Sequence, residues 1–402
     1  MESIEITDRG ASQVARGLLW IFSNEVYKKP VGLKPGTWCT FHCRGKIIAT
    51  GYANPHSLIF GRVVTLGEHK NVPTQLRDRL LDAFSRRADL APTGAARLVY
   101  SEGDFLPGLV LDVYADHAVL QSNTAGIDAA MPELEIIVPA IFQEVFHRPL
   151  KAFLIKADGG IRRLEGVEDF SKIVIGDEKA LAAVAFEEDG VYFTADLLSG
   201  QKTGFFLDQR DNRTYLAALL KTTGKKKVLD LCCYSGAWGL RALKSGAQHV
   251  TFVDESADAM ALVERGLERN GIEKPRSRRV TSDVFRFLES DEATYDVVVA
   301  DPPAFVKSKK NLPQAIKGYE KLNRLAWRRL KPGGVLITCS CSYHVSDQDF
   351  MDLLLTVVGK EKGMARVLYR GSQAADHPVL LSMPETRYLK CVALQKVDVV
   401  SD

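Results

Sequence analysis

The feature that most limits how this chain can fold is a change of period near residue 191. Beyond it, short apolar runs alternate with amphipathic helical stretches. Lys227–Cys233 reads as a buried strand, followed by the turn Tyr234-Ser-Gly236 and a helix to Ser245. His249–Asp254 is a second strand; Ser256 opens a helix that Asn270-Gly271 stops. Arg279–Asp283 and Tyr295–Ala300 follow, then a helix from about Gln314 to Leu330, then the run Gly334–Ile337 that leads into Thr338-Cys-Ser-Cys-Ser342. Ser346-Asp-Gln-Asp349 has the spacing of a capping box for a helix reaching Val358, and residues 364–370 and 387–398 close as a strand pair. This alternation predicts an α/β fold with a parallel sheet and crossover helices, a Rossmann-like doubly wound sheet. Ligands of such sheets bind in the crevice beyond the carboxyl ends of the strands. Two loops leave that end together: Asp301-Pro-Pro-Ala-Phe305 and the cysteine pair Cys339/Cys341.

With 402 residues the chain is long enough for two or three domains. We divide it at 1–72, 73–190 and 191–402. Residues 1–72 carry short β-branched and aromatic runs (36–43, 46–52, 57–64) punctuated by Gly and Pro, the pattern of a small β-barrel. Between residues 11 and 75 lie Arg16, Lys28, Lys29, Lys34, Arg44, Lys46, Arg62 and Lys70 against only Glu25 and Glu68. A basic module of this kind is a candidate nucleic-acid footprint, the plainer alternative being a solvated basic face. Cys39, His42 and Cys43 form one close cluster with no second Cys/His pair, so strand packing is preferred over zinc and no metal is expected. Residues 73–190 read as a central α+β domain: a helix Thr74–Ala88, strands at 96–100, 109–114 and 117–122, a helical stretch Ala125–Phe146 that Pro132 and Pro139 bend or restart, and strands at 153–156 and 184–186. No apolar run approaches the ~20 residues of a membrane helix, and the start Met1-Glu-Ser-Ile-Glu-Ile6 lacks the basic and apolar regions of a signal peptide. Seven unevenly placed cysteines point to a reducing, cytoplasmic setting.

Asp230, Asp254, Asp283 and Asp301 fall at or near the ends of successive predicted strands. Each alone could be a helix cap; together they build an acidic rim along one end of the sheet. Asp254 follows Asp230 by 24 residues, near the spacing at which a nucleotide-binding βαβ unit sets a carboxylate on ribose hydroxyls. Asp283 would then reach the adenine amine. The turn at Tyr234-Ser235-Gly236 lacks the full G-x-G-x-x-G, so a dinucleotide fits poorly and a dehydrogenase is disfavoured. A positively charged sulfonium suits an acidic rim better.

The cysteine pair supplies the other half of the chemistry. A thiol is the nucleophile that a pyrimidine needs, because addition at carbon 6 makes carbon 5 enamine-like and able to accept a methyl group. Asp301 could hold the base edge, Pro302 and Pro303 stiffen the loop, and Phe305 could stack on a flipped base. Lys307, with Lys309 and Lys310, could hold the nucleotide's phosphates; a solvated lysine run is the alternative.

These residues resemble the class I S-adenosylmethionine-dependent methyltransferases, and most nearly the PUA-domain RNA methyltransferases that act on cytosine carbon 5. The resemblance spans essentially the whole chain. Leu18-Leu-Trp-Ile-Phe22 looks like the entry to the PUA-like domain, Gly204–Arg213 like the segment before the donor strand, Asp301-Pro-Pro-x-Phe like the substrate loop, and Ser340-Cys-Ser342 like the nucleophile motif. It implies Cys341, not Cys339, as nucleophile, with Asp301 contacting the base. It implies S-adenosyl-L-methionine held by Gln209, Arg210, Asp230, Tyr234, Ser235, Gly236, Asp254 and Asp283. It implies RNA, from the large ribosomal subunit, as partner, with no membrane; a homodimer is compatible. The chain departs from many class I enzymes at Cys232-Cys-Tyr234, where they carry glycines. Two other readings stay open: a guanine N-methyltransferase, which needs Asp301-Pro-Pro but no cysteine, and a non-catalytic RNA-binding assembly factor.

Overall fold

The computed structural model describes residues 1–69, 71–90, 94–305 and 311–397. The chain divides into two compact units. One comprises residues 1–186, 195–207 and 376–386; the other comprises 187–194, 208–375 and the segment from 387 onward.

The first unit begins with a five-stranded sheet of β1 (Glu2–Glu5), β2 (Trp20–Phe22), β3 (Thr37–Cys43), β4 (Lys46–Ala53) and β5 (Ile59–Leu66), in the order β1-β3-β4-β5-β2. Apolar residues of these strands, among them Ile4, Phe41, Phe60 and Val63, close into one core. The helix α1 (Asp8–Ala15) is capped by Thr7, whose hydroxyl accepts from Gly10 N. The Cys39/His42/Cys43 cluster disperses. Cys39 is inside the core, Cys43 Sγ donates to Asp8 Oδ1 (3.3 Å), and His42 Nε2 shares a hydrogen bond with Thr40 Oγ1 (2.8 Å). Arg16, Lys28, Lys29, Lys34, Arg44 and Lys46 are exposed. Arg62 is not part of that face: it is buried, with Glu165 at 2.8 Å and Glu102 at 3.4 Å. Lys70 lies outside the described residues.

The same unit continues with α2 (Val72–Ser85), β6 (Ala95–Tyr100), β7 (Leu109–Tyr114), β8 (His117–Ser122), α3 (Ala125–Ala129), α4 (Met131–Phe146), β9 (Ala152–Ala157), α5 (Arg162–Glu165), β10 (Phe170–Ile175) and α6 (Glu178–Leu181). Its second sheet runs β10-β9-β8-β7-β6, and α2 and α4 cover it through a core that includes Leu80, Phe84, Val138 and Phe142. The helix expected from Thr74 starts earlier, at Val72, because Asn71 is its N-cap: Asn71 Oδ1 accepts from Thr74 N. The proline-bent stretch is two helices, broken at Ala130, with Pro132 in the first turn of the second, where no N–H is needed. The hairpin β11 (Val184–Glu188) and β12 (Val191–Ala195) carries the chain through the boundary between units.

The second unit is the alternating region. It contains α7 (Arg210–Thr223), β13 (Lys227–Leu231), α8 (Ala237–Lys244), β14 (His249–Asp254), α9 (Ala257–Arg269), β15 (Ser277–Thr281), α10 (Val284–Ser290), β16 (Tyr295–Ala300), α11 (Leu312–Arg328), β17 (Leu330–Ser340), α12 (Asp347–Lys360), β18 (Met364–Gly371) and β19 (Lys390–Val397). The sheet order is β15-β14-β13-β16-β17-β19-β18, with the first five strands parallel and β19 antiparallel to both its neighbours, β17 and β18. The α/β, Rossmann-like architecture is therefore as the sequence implied. The central strands are buried on both faces, which is why they read as unbroken apolar runs. The order reverses between β13 and β16, the place where such sheets open a crevice. The capping box forms as expected: Ser346 Oγ accepts from Asp349 N, and Asp349 Oδ2 accepts from Ser346 N, both at 3.0 Å. Among the described residues no helix is long and apolar enough to cross a membrane.

Candidate functional site

The crevice is built first from the turn after β13. Asp230 is fully buried at the end of that strand. Its Oδ2 accepts from Gly239 N (2.9 Å), while its buried Oδ1 has no hydrogen-bond partner among the described residues. Burial pushes its carboxyl well above the usual range; Gly239 opposes this, and the charges of Asp301 and Asp254 add to it. The turn itself winds through left-handed backbone at Cys232 (φ +56°), Tyr234 (φ +46°) and Gly236 (φ +74°). Two of these are not glycine, so the conformation costs of order 1–3 kcal/mol each and must be imposed from outside. Asp254, at the end of β14, imposes it: its Oδ2 accepts from Tyr234 N (2.9 Å) and its Oδ1 from Ser256 N (3.0 Å).

Gly239 shows how closely α8 must approach β14. A Cβ there would lie 2.2 Å from Phe252 Cε1. Gly239→Ala is expected to cost about 1–3 kcal/mol by overpacking. It should also lift its own N–H away from Asp230. Chemical denaturation measures the first effect and donor titration the second; a variant as stable as the parent would show that the helix can give.

The Asp-Pro-Pro loop leaves β16 beside this turn. Asp301 is held between two donors: Gln209 Nε2 to Oδ1 (3.0 Å) and Trp238 Nε1 to Oδ2 (3.0 Å). Gln209 is buried and is aimed in turn, because its Oε1 accepts from Asn212 Nδ2 (2.6 Å). Asn212 Nδ2 also donates to the Ser372 carbonyl (3.0 Å), and Tyr369 OH donates to Asn212 Oδ1 (2.9 Å). A chain of fixed polar groups thus runs from β18 to Asp301. Neither Trp238 nor Asn212 was marked by the sequence reading.

Parallel pairing places Ala300 opposite Thr338, so Asp301 and the Cys339–Cys341 segment leave adjacent strands at the same end. The two cysteines then part. Cys339 is fully buried, opposite Cys391 of β19. Burial pushes its thiol well up, and the hydrogen bond and charge of Cys391 add to it. Cys341 stands just past the last residue of β17 and is part-exposed. Ser342 beside it hydrogen-bonds Tyr319 (2.9 Å).

The remaining expected site residues are placed as follows. Ser235 is buried in the turn, next to Gly236 at the start of α8. Asp283 is exposed; it lies beyond β15, which ends at Thr281, and caps α10 by accepting from Arg286 N (3.0 Å). Arg210, the first residue of α7, points its Nε toward Glu188 (3.7 Å), which also takes Arg213 in a two-pronged pair (2.8 and 2.6 Å). Pro302 is buried and Pro303 exposed. The Phe305 ring packs on Tyr319 at 4.6 Å between centroids, so in this state it walls the loop. Lys307, with Lys309 and Lys310, falls in residues 306–310, outside the described residues.

A methyl donor carrying a sulfonium and an ammonium group suits this end of the sheet. A buried carboxylate oxygen lacks a partner there, and the charges of Asp301 and Asp254 raise the cost of a charge on Asp230. Comparison with known proteins agrees with the architecture. Residues 4–66 match the family model described as a PUA-like domain, and residues 203–362 the one described as a methyltransferase small domain. A protein of Pseudoalteromonas translucida named ribosomal RNA large subunit methyltransferase I is 35% identical over 382 residues, which cover 92% of this chain and 93% of the relative. A solved structure from Streptococcus mutans, described as a SAM-dependent methyltransferase, superposes with a TM-score of 0.80 at 23% identity, covering 98% of this chain and 100% of the other. Another, described as a methyltransferase complexed with SAH, gives 0.81 at 22% identity over the same shares. At such identities these two speak for the fold.

Proposed function

Since the chain belongs to the ribosomal RNA large subunit methyltransferase I family, we propose that it transfers the methyl group of S-adenosylmethionine to carbon 5 of a cytosine in large-subunit ribosomal RNA. Cys341 is the nucleophile in this reading and Asp301 the group that holds the base. The observation that carries it is the shared exit of Asp301 and Cys341 from neighbouring parallel strands, with Cys341 part-exposed and Cys339 walled in.

The donor supplies an electrophilic methyl on a positively charged sulfur. Asp230, Asp254 and the turn Tyr234-Ser235-Gly236 would hold it, Gln209 lies between that side and Asp301, and Asp283 and Arg210 would contribute from the rim. The target cytosine must leave its stack to reach the crevice. The Cys341 thiolate adds to carbon 6, and Asp301 in its acid form gives its proton to ring nitrogen 3, neutralising the negative charge that moves onto the ring. Carbon 5 then takes the methyl as its bond to sulfur breaks, leaving S-adenosylhomocysteine. Water takes the carbon-5 proton, ring nitrogen 3 returns its proton to Asp301, and the thiolate is expelled as 5-methylcytosine is released. We assign residues 1–72 to gripping RNA through phosphates, using the exposed Arg16, Lys28, Lys29, Lys34, Arg44 and Lys46. Residues 73–190 serve as a spacer or substrate-shaping region, and the residues of the methyl transfer lie within 191–402.

RNA carrying 5-fluorocytosine tests the chemistry. Fluorine at carbon 5 cannot leave as a proton does, so the enzyme should stay attached after methyl transfer. A donor-dependent, denaturant-stable complex attached through the Cys341 peptide is expected. Full turnover with no adduct would leave a nitrogen target as the better reading.

Asp230 gives a second test. Asp230→Asn removes the buried charge and should weaken S-adenosylmethionine binding about tenfold, the scale of one charge-assisted contact. The pH dependence has a definite sign. The folded carboxyl titrates well above its unfolded value, so acidification neutralises it early. Protonation relieves a buried charge and stabilises the empty protein, while donor affinity falls. Titration calorimetry at descending pH should show that fall in the parent and not in Asp230→Asn.

A further inference from the structure

Lys390 is the first residue of β19 and is only 5% exposed. A lysine so deeply placed normally meets a carboxylate, since burying an uncompensated ammonium is costly. Among the described residues Lys390 meets none. Its Nζ donates to two backbone carbonyls, Ser342 O (2.7 Å) and Val345 O (2.8 Å). The carboxylates nearest in charge are already engaged. Asp347 pairs with Arg387 (2.9 Å), and Asp349 closes the Ser346 capping box. Arg387 itself adds positive charge. Tyr319, which braces Ser342 from α11, has its phenol pushed up to about 12 by burial and stays neutral.

The position of Lys390 relative to Cys341 is set by the sheet. Lys390 pairs across the strands with Ser340, and its ammonium bonds the carbonyl of Ser342. Cys341 is the residue between those two. Burial pulls the Lys390 ammonium down to about 8, and the negative charges of Asp347 and Cys341 are the largest influences restoring it. Ionisation of Cys341, one residue from the carbonyl that Lys390 holds, would give the buried ammonium a countercharge.

We propose that Lys390 is a positioning residue of the methyl transfer: it fixes the loop bearing Cys341 through the Ser342 and Val345 carbonyls, and its ammonium stabilises the Cys341 thiolate. The inference rests on Cys341 being the nucleophile, but it can be read without methylation. Two carbonyls occupy two of the three N–H groups. A thiolate at Cys341 would be attracted to a cation held in low dielectric more strongly than in water. The same charge would favour departure of the thiolate when the product is released.

The test is the pH dependence of Cys341 alkylation by iodoacetamide in the full-length protein, read by mass spectrometry of the Cys341 peptide. In the parent the curve should have its midpoint below the ordinary cysteine value of about 8.5. Lys390→Met should slow alkylation at pH 7 about tenfold, moving the midpoint up by roughly one unit, the smaller end of the range for a neighbouring charge. Lys390→Arg keeps the charge and should stay close to the parent. A parent midpoint at or above about 8.5 overturns the proposal with no variant needed. So does a Lys390→Met protein that melts like the parent with an unmoved curve, and so does a Lys390→Arg curve that moves as far as that of Lys390→Met. The nucleophile assignment is judged separately, by the 5-fluorocytosine adduct: an adduct with an unmoved curve rejects only the role of Lys390.

Discussion

Cys341→Ala is expected to lower kcat for RNA methylation by at least about 10⁴-fold, the scale seen when an enzyme loses its nucleophile. The loss should appear with donor affinity unchanged, because the cysteine lies on the strand next to Asp301 and outside the turn that lines the donor side. Cys341→Ser should fail nearly as fully, since a hydroxyl is far less ionised than a thiol at neutral pH. The neighbouring cysteine supplies the control. Cys339 is fully buried opposite Cys391, so Cys339→Ala leaves a small void and should cost about 1–2 kcal/mol of stability while methylation persists. The two variants thus separate: one folds and does not react, the other reacts and folds less well. Tritium release from carbon-5-labelled cytosine, with melting curves alongside, reads both. Methylation by a folded Cys341→Ala protein would remove the thiol from the mechanism.

Much of this site was legible because its parts are local. The strands β13 to β17 are buried on both faces, so they read as short unbroken runs such as Tyr295–Ala300, whose bounds the sequence placed correctly. The Ser346–Asp349 box also follows from nearby residues. What stayed hidden depends on distant partners. Trp238 looks like a core residue of α8, and it is buried; its indole N–H finds Asp301 from 63 positions away. Lys390 reads as an ordinary charge in a strand, and only the antiparallel pairing of β19 sets it opposite Ser340, where its ammonium reaches the Ser342 carbonyl. Arg62 was counted among the basic face, but its partner Glu165 lies 103 positions on and draws it into the interior. The first strand, β1, was missed because Glu2-Ser-Ile-Glu5 buries only Ile4, as a sheet-edge strand can. Asp283 was put on a strand that stops two residues short of it, where its side chain instead begins a helix.

Asp301→Asn has a cost that its neighbours make calculable. Trp238 Nε1 can only donate, so the new amide must turn its oxygen toward the indole. Its NH₂ then faces Gln209 Nε2, donor against donor. Gln209 could flip to offer its oxygen, but its Nε2 would then meet Asn212 Nδ2, which is held by the Ser372 carbonyl. Asn212 cannot flip freely either, because Tyr369 OH already donates to its oxygen. The mismatch therefore travels along the chain of amides and stops only where a group can turn to water. One unsatisfied, largely buried donor costs about 1–3 kcal/mol, which should appear as lost stability in chemical denaturation. Activity should fall further, by about 10²–10³-fold in kcat, the effect of losing one preorganised charge-stabilising group. With Asp301 assigned to the base in the proposed reaction, donor affinity should fall little. The pairing of effects is the test. Stability loss without a kcat loss would make Asp301 a strut for the loop; the two together, with donor binding preserved, place its carboxylate against the reacting ring.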